Sequence, residues 1–345
     1  EGWSAVFDSE MFSEFDIQCL KQYLSNEPIQ LYFNGEKYQL FRDQEIRLVD
    51  LRTDAETSFE SERTINSAWS GDNRYCARLT NQGFQVWDPS LGEVVFVAQF
   101  PPNQPWVPGS YIIDISGDGK TLALNPRPPG LIYTWGIPSE TARELNIPKI
   151  LSPMAIYLSF DGRYVALQDN KMGMHVYRTE SAQLVGHVPG VISIRPRVRW
   201  FKTQQKMAVE MGYWVKVWDI EASEVMQIIG QGNGQDSSEI SCVMSYWHSE
   251  LVVDIQLWPG DDFMATICRN GRVTLWDLHR TDFCFVFTGQ TWYPNSLCAT
   301  ILPPENHDIA LTLRLGSNIW RIRLKKKDGG TKRPMEGILV ETPVN

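Results

Sequence analysis

The side chains of this 345-residue chain best suited to chemistry are five histidines, six cysteines and the aspartates of two glycine-containing turns. His175, His187, His248, His279 and His307 are scattered, and no pair has the H-E-x-x-H spacing that sets two imidazoles around a zinc ion. Cys19, Cys76, Cys242, Cys268, Cys284 and Cys298 form no C-x-x-C pair, and most lie in apolar runs where a thiol packs as a small hydrophobe. Such usage suits a reducing compartment, so an intracellular location, cytoplasmic or nuclear, is expected; disulfides stay open at this stage. Asp118 in "SGDGK" and Asp161 in "SFDGR" could be cast as cation ligands, but the apex of a hairpin turn explains both. No G-x-S-x-G, phosphate-binding loop or dinucleotide fingerprint follows a strand-like run. The expectation is a protein without catalytic residues, cofactor or metal: not an enzyme.

Charge narrows the partners. The formal net charge is -9, whereas nucleic-acid affinity rests on clustered Lys and Arg that displace counterions, so no general nucleic-acid binding is expected. Local basic patches remain: Arg195, Arg197, Arg199 and Lys202 read either as a basic edge for an acidic partner or as charge balance on an acidic protein, and Lys325, Lys326, Lys327, Lys332 and Arg333 as a solvated turn. No apolar run approaches the roughly 18 residues a membrane helix needs, so no membrane insertion is expected. The chain begins at Glu1 without a Met, which suits one domain of a longer polypeptide.

The elements that would carry any site come from a repeat. "EIRLVDL", "FQVWDPS", "LIYTWGI", "MHVYRTE", "VKVWDIE", "VTLWDLH" and "SNIWRIRL" each alternate apolar and polar residues toward one key position. Those positions are Val49, Trp87, Trp135, Tyr177, Trp218, Trp276 and Trp320, separated by 38, 48, 42, 41, 58 and 44 residues. Upstream of each lies a second signal in the same phase, an apolar-turn-apolar unit: "LYFNGEKYQL", "AWSGDNRYCARL", "ISGDGKTLAL", "LSFDGRYVAL", "RWFKTQQKMAV", "QLWPGDDFMATI" and "ILPPENHDIALTL". Asn-Gly and Asp-Gly at the apex favour two-residue hairpins because they tolerate positive φ. Each repeat therefore reads as strand, tight turn, strand, short loop, aromatic strand, polar turn and a last strand.

Over about Pro28 to Thr342 this pattern resembles the WD-repeat family. The resemblance implies an all-β fold, a seven-bladed β-propeller of four-stranded antiparallel blades with the key aromatic on the third strand. Blades would span about 28–60, 61–100, 101–148, 149–186, 187–230, 231–288 and 289–342, within a domain 28–345. The copies are degenerate: the family's Gly-His appears once, at Gly186-His187, and Asp follows the key position only at Asp50, Asp88, Asp219 and Asp277. Residues 1–27 form a separate segment, a strand "WSAVF" and a short helical segment in which Phe12, Phe15, Cys19, Leu20 and Tyr23 recur at helical spacing. "GILVE" (337–341) is the expected outer strand of the last blade, with "WSAVF" the competing candidate.

With no convergent reactive groups, binding falls to a surface. The face carrying the loops that join one blade to the next, and the loops between second and third strands, holds Trp106, Tyr111, Trp247, His248, Trp292 and Tyr293 on long loops. Arg127, Arg269 and Arg314 stand on the shorter ones. Trp, Tyr and Arg dominate binding hot spots, which points to a protein or peptide partner for a non-catalytic scaffold or sensor. WD-type rings also serve as sensors in large signalling ATPases of the NACHT-containing kind, so a partner domain in the same polypeptide is one candidate. Two readings compete: a lactonase-like or quinoprotein-like enzyme with an axial pocket, and a structural subunit of a multiprotein assembly.

Overall fold

In this computed structural model the described backbone comprises residues 4–8, 12–22, 29–32, 37–42, 45–50, 53, 55–60, 66–72, 74–80, 83–100, 111–126, 132–137, 142–145, 147, 153–169, 173–191, 193, 196–222, 239–258, 260–288, 298–302, 309–315, 318–326 and 337–341. Side chains are described chiefly between 66 and 288. The architecture is all-β. Contacts divide the chain into two compact units, one formed by 1–42, 46–58 and 247–345, the other by 43–45 and 59–246.

The chain opens with β1 (Ser4–Asp8) and β2 (Phe12–Gln22), followed by a four-stranded sheet of β3 (Ile29–Tyr32), β4 (Lys37–Arg42), β5 (Glu45–Asp50) and β6 (Glu56–Glu60). Four further four-stranded sheets come in sequence order. The first is β7 (Asn66–Trp69), β8 (Cys76–Leu79), β9 (Gly83–Asp88) and β10 (Glu93–Gln99); the second is β11 (Tyr111–Ile115), β12 (Thr121–Pro126), β13 (Ile132–Gly136) and β14 (Ala142–Leu145). The third is β15 (Ala155–Leu158), β16 (Tyr164–Gln168), β17 (Met174–Arg178) and β18 (Leu184–Val188); the fourth is β19 (Val198–Trp200), β20 (Lys206–Met211), β21 (Trp214–Asp219) and β22 (Ser241–Trp247). The key positions Val49, Trp87, Trp135, Tyr177 and Trp218 all fall on the third strand of their sheet, as the repeat demands.

Adjacent sheets among these four share apolar layers, each face burying its side chains against the next. Leu79, Phe84, Phe96, Ile113, Leu122 and Trp135 make one layer from the first and second of these four sheets. Ile132, Leu145, Ile156, Leu158, Val165 and Tyr177 make the next, and Tyr164, Met174, Val176, Met207, Val209 and Trp218 the third. Trp87, Trp135, Tyr177 and Trp218 are each no more than 4% exposed, so the repeated aromatic is packing material.

The hairpin turns repeat a hydrogen-bond unit that the sequence spells as Ser-x-Asp. Ser70, Ser116 and Ser159 donate their hydroxyls to Asp72, Asp118 and Asp161 at 2.6, 2.7 and 2.8 Å. Each aspartate accepts the amide two residues on, and each serine hydroxyl accepts the amide five residues on, from Tyr75, Thr121 and Tyr164. Successive turns are stitched together, the Asp72 amide to the Gly117 carbonyl (2.9 Å) and the Asp118 amide to the Phe160 carbonyl (2.8 Å). Gly117 lies against the Phe160 ring, where a Cβ would sit 2.2 Å from Cδ2.

The other unit contains β23 (Val252–Leu257), β24 (Phe263–Cys268), β25 (Arg272–Asp277) and β26 (Asp282–Thr288), then β27 (Cys298–Leu302), β28 (Ile309–Leu315), β29 (Asn318–Lys326) and β30 (Gly337–Glu341). Trp276 and Trp320 again sit on third strands, β25 and β29.

Three expectations are corrected. Residues 12–22 are a strand instead of a helix. β2 runs antiparallel to β29 with Phe15 opposite Leu324, Ile17 opposite Ile322, Cys19 opposite Trp320 and Asp16 opposite Arg323. The segment carries both periods, and a free sheet edge supplies backbone partners that an isolated helix of this length cannot exploit. Consequently β2 is the fourth strand of the β27–β29 sheet, the place expected for "GILVE" or "WSAVF". β1 instead pairs with β26 and β30 with β1, giving a six-stranded sheet β23-β24-β25-β26-β1-β30. Third, the outer strand beside β21 is β22, within the stretch read as a loop; "EVMQIIG", the strand expected there, lies outside the described residues.

Candidate functional site

Among the described residues the densest set of exposed aromatics sits at one end of the β19–β22 sheet. β19, β20 and β21 run antiparallel in turn, so the start of β19, the end of β20 and the start of β21 share that end. Tyr213 in the β20–β21 turn and Trp214 at the start of β21 are 48% and 41% exposed; Trp247, the last residue of β22, is 59% exposed. Arg197, just before β19, is exposed beside them in the sheet order.

The turn is held from beneath. Gly212 takes φ of 75°, which glycine adopts without steric cost, and its amide donates to Glu210 Oε1 at 2.6 Å. Glu210 is buried, and that burial pushes its carboxyl pKa above the ordinary value. Hydrogen bonds from the Gly212 and Arg197 amides and the Ser193 side chain, with the Arg197 charge, oppose the rise. A buried carboxylate thus ties the aromatic turn to the segment that carries the cation. Chemically, the arrangement offers flat apolar faces and one guanidinium, suited to gripping a side chain or peptide rather than to moving a proton.

The sequence-predicted residues divide. Trp247 is exposed, at the end of strand β22 and not on a loop. Arg269 is exposed on the β24–β25 turn, where its amide donates to the Leu251 carbonyl at 2.7 Å. His248 is corrected: it is 5% exposed, with Nε2 at 2.8 Å from Thr266 Oγ1, the same hydroxyl that accepts from Trp276 Nε1 at 2.9 Å. Its ring also stands edge-on to Trp276 with centroids 5.3 Å apart. That bonding uses the imidazole to fix a third-strand Trp and leaves it inside. Tyr111 and Arg314 belong to strands β11 and β28 and not to loops, with side chains outside the described set. Trp106, Arg127, Trp292 and Tyr293 lie outside the described residues.

Sequence reasoning passed over Tyr213 and Trp214 because it weighed long loops and treated "MGYWVK" as part of a strand. Gly before two aromatics, at the phase where its sister repeat carries Arg269, was the available signal.

Reactive groups elsewhere have structural partners. His175 Nε2 meets Asp169 Oδ2 at 3.1 Å while Oδ1 accepts the Gly173 amide, closing the β16–β17 turn. His279 meets Asp262 at 2.8 Å on the surface. Asp118 and Asp161 are consumed by the turn unit described above. Among the described residues, no group of three His, Cys, Asp or Glu is arranged to hold a metal ion, and no helix is long and apolar enough to cross a membrane.

No family model matches the chain, and no curated protein matches it. A solved structure does: the β-propeller domain of Cps50 (Swd1) from Myceliophteria thermophila, with a TM-score of 0.57, covering 88% of this chain and 99% of that one. Sequence identity is 11%, so the likeness is one of fold, and the fold is that of a β-propeller.

Proposed function

We propose that the protein is a non-catalytic interaction scaffold or sensor domain, a seven-bladed propeller of the WD-repeat type that grips a protein or peptide partner through its loop-bearing end. The single observation that carries this reading is the pair Tyr213 and Trp214, large aromatics left in water at one end of one sheet beside Arg197. Exposing them forgoes burial that folding would reward, and a partner restores it. The seven third-strand positions at matching phase support the blade count, and the likeness to a propeller domain supports the architecture.

The test takes the intact chain as bait and identifies its partner by cross-linking and mass spectrometry, then measures affinity. Tyr213→Ala and Trp214→Ala are each expected to weaken binding about tenfold or more, with the thermal midpoint within about 2 °C of wild type. Unchanged affinity in both variants would remove this face from the reading.

A further inference from the structure

The outer edge of one sheet in this molecule already accepts an added strand. β1 lies along β26, with Phe7 opposite Phe285, Val6 opposite Val286, Ala5 opposite Phe287 and Ser4 opposite Thr288. β10 is built like β26. The two read EVVFVAQ and DFCFVFT, each seven residues, and each begins opposite the Asp that ends its third strand, Asp88 or Asp277. Both carry a bulge at the third residue, Val95 in β10 and Cys284 in β26.

Their surroundings differ. Cys284 and Val286 are 1% and 7% exposed, whereas the equivalent Val95 and Val97 are 39% and 60% exposed. Val94 and Leu91 add to the same strip at 43% and 64%. β10 ends its sheet, in the order β10-β9-β8-β7. The strand itself carries no Lys and no Pro, and its bulge is of the kind that in β26 does not prevent pairing.

We propose that β10 is a homodimer interface, two copies of this chain pairing antiparallel edge to edge through residues 93–99. The occupant is argued from the strand itself. Antiparallel pairing of identical strands has twofold symmetry, and a twofold axis at Phe96 sets Val95 opposite Val97 of the second copy, Val94 opposite Ala98 and Glu93 opposite Gln99. The strand's one charge therefore faces an amide, and the two most prominent valines of its exposed face meet their counterparts. The result would join two four-stranded sheets into one of eight, as β1 and β30 extend the β23–β26 sheet.

Sedimentation velocity of the intact chain, from about 1 to 100 µM, is expected to show a concentration-dependent dimer. Val97→Lys places an ammonium against Val95 of the other copy and raises the dissociation constant roughly tenfold or more, with the melting temperature unchanged at this exposed site. Should V97K fail to fold, V97Q gives the same comparison. The double variant V95E/V97K aligns opposite charges in this register alone and restores association relative to V97K. A chain that stays monomeric at 100 µM, or a dimer indifferent to V97K and V97Q, overturns the proposal; a double variant no better than V97K overturns its register.

Discussion

Asp88 and Asp277 show what the residue after the key aromatic does. Asp88 Oδ1 accepts the Ser90 amide at 2.9 Å, and Asp277 Oδ1 accepts the amides of His279 and Arg280 at 2.8 and 3.0 Å, so each aspartate starts the turn out of the third strand. Asp114 on β11 is different. It takes the Leu158 amide at 2.6 Å on Oδ2, linking β11 to β15, and desolvation raises its pKa to about 7 against bonds from the Leu158 and Ile115 amides and the Arg199 charge. Because the folded value lies above the ordinary 3.8, this group's contribution is fully present below that pH and is lost as pH rises through about 7. Asp114→Asn keeps an acceptor and removes the charge. It is expected to be more stable than wild type at pH 8, by about 2 kcal/mol given residual solvent contact, and equal to it near pH 4, as read by urea denaturation. Cysteine reactivity follows burial in the same way. Burial pushes the Cys76 and Cys268 thiols up to about 12 and 11, while Cys242 is exposed. Brief alkylation of the native chain followed by peptide mapping should label Cys242 and spare Cys76, Cys268 and Cys284.

Among the elements, β2 shows how a local signal loses to an available edge. Its apolar residues suit a helix by spacing, yet Phe15, Ile17 and Cys19 also alternate with Asp16 and Gln18, and β29 offers an unpaired ladder to match. The strand ties the start of the chain to its last sheet. Removing residues 1–22 should therefore lower the thermal midpoint by about 10 °C or more, whereas removing 1–8 costs clearly less, because β1 and the β30 strand it holds lie outside the four strands β23–β26. The stitched turns make a second prediction. Gly117→Ala drives a methyl group into the Phe160 ring and is expected to cost about 1–3 kcal/mol in chemical denaturation.

At the scale of the whole molecule, charge and repetition dominate. A net charge of -9 and a sequence pI near 5.2 predict no retention on heparin at about 0.15 M salt, while the chain binds an anion exchanger; retention on heparin would expose a basic surface the totals conceal. The sequence alone determined the all-β class, the third-strand aromatics and the place of Asp118 and Asp161 in turns, because strand alternation and turn chemistry act between residues close in the chain. It did not determine that residues 12–22 pair with β29, that β22 joins the sheet of β19–β21, or that His248 turns inward while Trp214 stays in water. Those outcomes depend on which edge is unpaired and which side chain finds a hydrogen-bond partner from a distant strand. Only the tertiary structure fixes them, because pairing and burial are set by neighbours that the local sequence does not contain.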